Sequence, residues 1–186
     1  MNGRESQRFE KDGFVVVPDV VVDARRDALA TQVASLAKEG AGSPTKNWLV
    51  ALHQYLSIPV QRRVDSPACS GWSEKEGQVY VQPPVDVLEQ LVAVRIQIDD
   101  CPEESGALRV VPKSHSQGRL DRERAEELRL RHGETVVRAT RGEALVMRPL
   151  ILHASSKATS LGPRRVLHFV FGPPSLPLGM EWRWAV

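Results

Sequence analysis

Tyrosine and cysteine are scarce in this chain, with two of each in 186 residues. Cys69 and Cys101 are too few for a disulfide framework or a zinc knuckle, and both are expected to be reduced thiols. Long apolar runs are missing, since nothing approaches the roughly 18 apolar residues of a membrane-spanning helix. The opening stretch, MNGRESQRFEKDG, is polar and charged, unlike a secretory leader. The expected location is therefore the cytoplasm. Net charge is almost absent: 25 basic residues face 23 acidic ones, for a formal +2. That balance argues against nucleic acid as a partner, which needs clustered basic side chains. Lysine is rare too, because 19 of the 25 basic residues are arginine. Arginine suits bidentate carboxylate and phosphate recognition, but codon composition explains most of the excess.

What is present points to a globular domain. A hydrophobic fraction of 41% with 26% charged residues excludes a disordered chain. A chain of this length buries roughly 70% of its unfolded surface, so one domain spanning 1–186 is expected. Aromatics are only 5%, against 13 glycines and 13 prolines, a composition of many turns and short strands.

Along the chain, residues 5–12 predict a short polar helix ending at Gly13, followed by a β-branched strand, Phe14–Val17. Asp23 is a good cap for a helix over Ala24–Glu39 with an apolar stripe of Leu29, Val33, Leu36 and Ala37. Gly40 is its expected C-cap, and residues 42–44 a loop. Trp48–His53 predicts a strand. Residues 62–78 form a long polar excursion of the kind that often serves as a lid. A short helix over Val85–Leu91 precedes Val92–Asp99, which alternates strictly and has one polar face, Ala93, Arg95, Gln97 and Asp99. Further strands are expected at Leu108–Val111, Thr135–Ala139, Glu143–Met147 and Arg164–Phe171. Between them lies a charged helix from Asp121 to about Arg131, expected to be a solvated insertion. The last residues form an extended tail. Helices first and then a series of short strands predict a mainly β (α+β) fold, most economically a jelly roll.

Five histidines are present: His53, His115, His132, His153 and His168. His53 and His153 each end an apolar strand and open a polar segment, where a metal ligand at a barrel rim would stand. Two histidines and one carboxylate make the facial triad of non-haem iron oxygenases. In its usual form a His and an Asp stand two apart on one strand, so that both point inward. Here the strand reads His53-Gln54-Tyr55, with tyrosine in the aspartate's place.

From Phe9 to about Trp184 the chain resembles the phytanoyl-CoA dioxygenase family, in its short bacterial form. FEKDGFVVVPDVV resembles the family's opening segment and NWLVALHQY its first metal strand. VRIQIDDCPEESGALRVVPKSH resembles the stretch that usually ends Pro-Gly-Ser-His. GEALVMRPLILHASS and PRRVLHFVF resemble the second metal histidine and the cosubstrate arginine strand. The resemblance implies a double-stranded β-helix (jelly roll, cupin-like) and an oxidoreductase, a dioxygenase using Fe(II) with 2-oxoglutarate as cosubstrate. It implies His53 and His153 as metal ligands. It also implies Arg164, eleven residues after His153, as the fork for the distal carboxylate. Ser155 matches a hydroxyl that contacts the same cosubstrate. Gln97 is a candidate for the cosubstrate wall, and Trp72 a candidate cover. Lys113 stands where the family has glycine, at a tight turn. The expected partner is a small-molecule substrate, with no nucleic acid and no membrane, and a homodimer is open.

Tyr55 divides the functional reading. A tyrosine must lose a proton of pKa about 10 to act as an anionic ligand, and its oxygen overshoots an aspartate's. One reading is an oxygenase working with two histidines, or with a carboxylate from elsewhere such as Asp65 or Glu143. A second has Tyr55 as the ligand of an iron of altered reactivity. A third is a pseudoenzyme or binding protein on the same fold. A fourth is a metal-free barrel isomerase with His53 and Tyr55 as acid and base.

Overall fold

The computed structural model describes residues 1–38, 49–160 and 162–184. Helix α1 spans Gly3–Asp12 and is closed at both ends by its own sequence. Asn2 and Glu5 form a reciprocal capping box, and Gly13 takes the left-handed conformation (φ 83°) that ends it. The β-branched run Phe14–Val17 follows as β1. Helix α2 spans Asp23–Lys38. Its predicted stripe does not enter the core: Leu29 and Val33 are half-buried and Leu36 is exposed. The helix is instead tied to the surface by polar contacts, with Arg165 donating to the Ala30 carbonyl (3.0 Å) and Arg141 paired with Asp27 (2.7 Å). The side chain of Ala37, Gly40, the loop at 42–44 and Trp48 lie outside the described residues.

Strand β2 (Val50–His53) carries the first candidate ligand at its end. The segment expected to be a lid is partly a sheet. β3 (Ile58–Val60), β4 (Ser70–Lys75) and β5 (Gln78–Gln82) form a three-stranded antiparallel sheet in the order β3-β5-β4. The sequence reading had no strand there, because polar residues dominate β4 and Pro59 interrupts β3. Helix α3 (Val85–Gln90) covers this sheet, burying Val87 and Leu88 against Ile58, Val60 and Val81. Met180 of the C-terminal segment joins the same cluster, and Trp182 bridges to Val60, so the tail is a packed part of the fold.

The remaining strands are β6 (Val92–Gln97), β7 (Leu108–Val110), β8 (Thr135–Val137), β9 (Ala144–Met147), β10 (His153–Ser155) and β11 (Val166–Phe171). With β1 and β2 they make two four-stranded antiparallel sheets, ordered β1-β9-β6-β11 and β2-β10-β7-β8. One cluster joins them: Phe14, Ala93, Leu145 and Met147 from the first sheet meet Val110 and Val137 from the second, with Ile151 between. This is a mainly β jelly roll, as the spacing of short strands predicts. Strand β10 is only three residues long, and His153 begins it rather than ending an apolar strand as expected. Helix α4 (Arg122–His132) is capped by Asp121, as predicted, but is not wholly solvated. Ala125 and Leu128 pack on Val111 and Leu152.

The inner face of the first sheet is unusual. Register places Arg95 opposite His168 and Gln97 opposite Val166, on the same side as buried Ala93. The polar face of β6 therefore points into the barrel. Asp99 does not share it: the strand ends at Gln97, and the Asp99 carboxylate takes three hydrogen bonds from Arg165 (2.6–2.9 Å).

Candidate active site

His53 and His153 are direct cross-strand partners on β2 and β10, and their ring centroids are 4.2 Å apart. Each ring is held the same way. Nδ1 of His53 donates to the Ala51 carbonyl (2.8 Å), and Nδ1 of His153 to the Ile151 carbonyl (2.9 Å). A carbonyl has no proton to give, so both Nδ1 atoms carry the hydrogen and both Nε2 lone pairs are left for a ligand. Metal-binding histidines are oriented by this kind of second bond. Burial, and then the neighbouring His53, lower the His153 pKa to about 4, with Arg95 and His168 adding to the effect and the Ile151 bond opposing it. The His153 ring is neutral at physiological pH.

Two buried side chains that sequence reasoning missed fix these histidines. Gln54 donates to the carbonyls of Gly118 (2.8 Å) and Leu150 (2.7 Å) and accepts from the Leu120 N–H (2.8 Å). It locks the turn after β2 onto the loop before β10. Ser114, fully buried, donates to the Val111 carbonyl (2.7 Å) and accepts from the Leu152 N–H (2.8 Å), one residue before His153. The only sequence signal was their place beside motif residues. Lys113 has φ 68°, so the family's glycine position does require a left-handed residue.

Tyr55 lies beyond the end of β2, its N–H bonded to the Pro149 carbonyl (2.9 Å). Its ring meets the edge of His168, with centroids 5.7 Å apart. Burial, then Tyr80, raise the phenol pKa above its usual 10.0, and Arg95 only partly offsets them. Tyr55 is therefore a neutral hydroxyl here, not a phenolate. His168 lines the mouth, where burial first and Arg95 second lower its pKa to about 4.

Among the described residues, no three His, Cys, Asp or Glu side chains stand close enough to hold a metal together. The two alternative carboxylates are elsewhere. Glu143 accepts from the Thr140 N–H (2.6 Å) in a turn, and Asp65 is exposed on the segment leading to β4. Trp72 sits in β4, against the cluster under the small sheet and 5.4 Å from the Arg63 guanidinium. It is not among the residues gathered around the histidines. Ser155 is buried two residues after His153, on the same face. Arg164 precedes β11 in the register of His168 and donates to the Gly106 carbonyl. That contact requires glycine at 106. Its φ is +72°, and a Cβ there would come 2.6 Å from the Ser156 carbonyl oxygen and 3.0 Å from Arg164 Nη1.

A jelly roll with two cross-strand histidines at one end of its inner face defines the class of cupin-like oxygenase folds. The family model for phytanoyl-CoA dioxygenase matches residues 22–166, and the chain belongs to that family. Solved structures agree on the fold. HygX from Streptomyces hygroscopicus, with nickel and 2-oxoglutarate bound, aligns at TM-score 0.64 and 18% identity, covering 98% of this chain and 90% of that one. EctD from S. alaskensis in its apoform aligns at 0.65 and 15%, covering 99% and 82%. The carbocyclase SnoK from nogalamycin biosynthesis aligns at 0.61 and 14%, covering 94% and 85%. No curated protein matches the chain by sequence.

Proposed function

We propose that this chain is an Fe(II)- and 2-oxoglutarate-dependent oxygenase of a small molecule whose protein ligands to the metal are two histidines alone. The observation that carries this reading is the matched pair His53 and His153, each with Nδ1 on a carbonyl two residues back and Nε2 without a partner among the described residues. Neutral imidazole suits iron. The donor set fits as two corners, with the third left to oxygens of the cosubstrate or water, because Tyr55 lies beyond the end of β2 with its ring against His168. HygX and EctD, which share the fold, have been crystallised with 2-oxoglutarate, HygX also with iron.

When bound, the iron supplies oxidation of a substrate C–H bond by dioxygen, with 2-oxoglutarate leaving as succinate and carbon dioxide. The chain's own residues bind and orient. Arg164 receives the distal carboxylate, and its Gly106 contact aims the guanidinium. The Ser155 hydroxyl supports the same carboxylate. Gln97, buried with its Oε1 unpartnered, forms the wall. Tyr55 and His168 stand at the mouth as neutral polar groups and leave the substrate entrance uncharged on that side.

Anaerobic titration with Fe(II) and 2-oxoglutarate tests the reading, in the native chain and in Tyr55→Asp. A metal-to-ligand charge-transfer band in both, lost in His153→Ala, is the expected result. A band only in Tyr55→Asp refutes it and assigns the chain to a binding protein on an oxygenase scaffold. That outcome has its own support in the lack of a third His, Cys, Asp or Glu donor among the described residues.

A further inference from the structure

Gly13 ends α1 with a left-handed backbone and is buried. The space its missing Cβ leaves is filled by His115. A Cβ at 13 would stand 2.3 Å from the ring's Nδ1 and 2.7 Å from its Cγ, so any side chain there displaces the ring. That Nδ1 is itself buried and has no hydrogen-bond partner among the described residues. The same junction holds two further segments. The Asp12 carbonyl accepts from the Lys113 N–H (3.0 Å), and the Gly13 carbonyl from the Arg148 N–H (2.8 Å). The Arg148 side chain returns to α1, pairing with Glu10 (2.9 Å) and lying 4.6 Å from the centre of the Phe9 ring. From Arg148 a run of bonds leads to the second candidate ligand. The Arg148 carbonyl accepts from the Ile151 N–H (3.0 Å), and the Ile151 carbonyl from Nδ1 of His153 (2.9 Å). A second route starts beside His115, where the Ser114 hydroxyl accepts from the Leu152 N–H (2.8 Å).

We propose that His115 is a positioning residue: its neutral ring, seated against Gly13, keys helix α1 to the loop that presents His153, and protonation of the ring releases both. A neutral imidazole has one N–H and one bare lone pair. It can rest against Gly13 with Nδ1 bare. The charged ring has two N–H groups, and the one on Nδ1 finds no acceptor in that seat. A buried charged donor without an acceptor is costly, so the ring leaves its seat or the helix lifts. The charged groups facing the ring are Glu10 and Asp12 from α1 and Arg148 from the loop. The Glu10 carbonyl and the two acids favour the charged ring. Burial, the largest effect, acts against it together with Arg148, and the pKa lies below its ordinary 6.5. The unfolded chain therefore takes the proton first. The seat is fully stable above about pH 6.5 and loses stability as pH falls below it. Coupling between two sites is reciprocal, so a metal that fixes His153 should also hold α1 down. That last step alone rests on the reading of His153 as a metal ligand.

Hydrogen exchange of the whole chain in EDTA tests the proposal, read at the amides of Gly13, Arg148 and Ile151 and corrected for the intrinsic pH dependence of exchange. These amides donate in turn to the Phe9, Gly13 and Arg148 carbonyls. Protection at all three is expected to fall together between pH 7 and pH 5. The fall should reach at most about 30-fold, the limit for a group of pKa about 6.5 in the open form. His115→Phe keeps a ring in the seat and does not titrate, so its protection should not change with pH over that range. His115→Asn, which does not titrate either, gives the same reading should the larger ring fail to fold. Protection independent of pH in the native chain, or the same fall in a folded variant, overturns the proposal. A fall at Gly13 with Ile151 unchanged also overturns it, because the helix then frays without moving the loop. Nickel(II) added at pH 6 supplies the second arm. Nickel that binds and raises protection at Gly13 supports the coupling, and nickel that binds without doing so overturns it. A joint pH response with no nickel binding supports the role of His115 and counts against the oxygenase reading instead.

Discussion

Ser114→Ala isolates the device that holds the second histidine. The hydroxyl has no solvent exposure and makes two bonds of opposite sense, one to the Val111 carbonyl at 2.7 Å and one from the Leu152 N–H at 2.8 Å. Val111 keeps a longer bond from the Ser114 N–H (3.3 Å) when the hydroxyl is removed, so the carbonyl is not abandoned. The Leu152 N–H is left buried with nothing to donate to. An orphaned buried donor costs about 1–3 kcal/mol, and the lost net contribution of the other bond about 1 kcal/mol. The sum, about 2–4 kcal/mol, is a large share of the roughly 5–15 kcal/mol that holds a domain of this kind together. Urea unfolding should show a lower midpoint with an unchanged slope, since no extra surface is exposed. Ser116→Ala is the control. Ser116 is exposed and its hydroxyl makes one 3.2 Å bond to Lys113, so a loss below about 0.5 kcal/mol is expected. Equal, small losses in both variants would refute the reasoning. The same variant should weaken Fe(II) binding, because Leu152 sets the strand that presents His153.

Lys113→Gly should act in the opposite direction one residue away. The left-handed backbone (φ 68°) costs a side-chain-bearing residue about 1–2 kcal/mol, less glycine's greater unfolded entropy. A rise in melting temperature of about 1–4 °C is expected, and a fall would contradict the strain argument. Asp99→Asn probes the external ion pair. Burial pushes the Asp99 carboxyl up, but hydrogen bonds and charge from Arg165, with charge from Arg141, outweigh it and hold it below its ordinary 3.8. A depressed acid contributes stability above its unfolded value and loses it as pH falls through the folded one. Asp99→Asn should therefore destabilise by about 1–2 kcal/mol at pH 7, and the gap to the native chain should close below pH 3.8. A gap that does not change with pH counts against the linkage. Gly106→Ala puts a Cβ 2.6 Å from the Ser156 carbonyl and 3.0 Å from Arg164 Nη1. It should lower both the melting temperature and calorimetric affinity for 2-oxoglutarate, and native values of both would show that the contact with Arg164 does not aim it.

The parts of the fold legible in the sequence are those whose local signals agree with their tertiary use. Asn2 through Gly13 form a helix with both caps written in, and Val92–Gln97 alternates as a strand should. The losses have identifiable causes. β10 is three residues long and takes its strand character from pairing with β2 and β7 on either side, which periodicity cannot register. β4 reads SGWSEK, polar on both faces, and is a strand because β5 pairs with it. The stripe on α2 has helical spacing, but the contacts that fix the helix are arginines from distant turns. His153 stood out at the end of an apolar stretch, and the family resemblance brought Ser155 and Arg164 forward, whereas Gln54 and Ser114 carry no signature, since buried hydrogen bonds to backbone are set by the fold.

Arg95 shows the same limit and changes what Tyr55 means. In sequence the two residues are forty apart and belong to different motifs. In the fold the guanidinium acts on the phenol, on His153 and on His168 together. An aspartate at position 55 would be attracted by that cation. It would then have to choose between an ion pair with Arg95 and a place among the ligands. Tyrosine, being neutral, makes no such claim on Arg95. The departure at 55 and the cation at 95 are thus one change in the charge of the site. Tyr55→Asp therefore adds a carboxylate that Arg95 attracts as well as any metal.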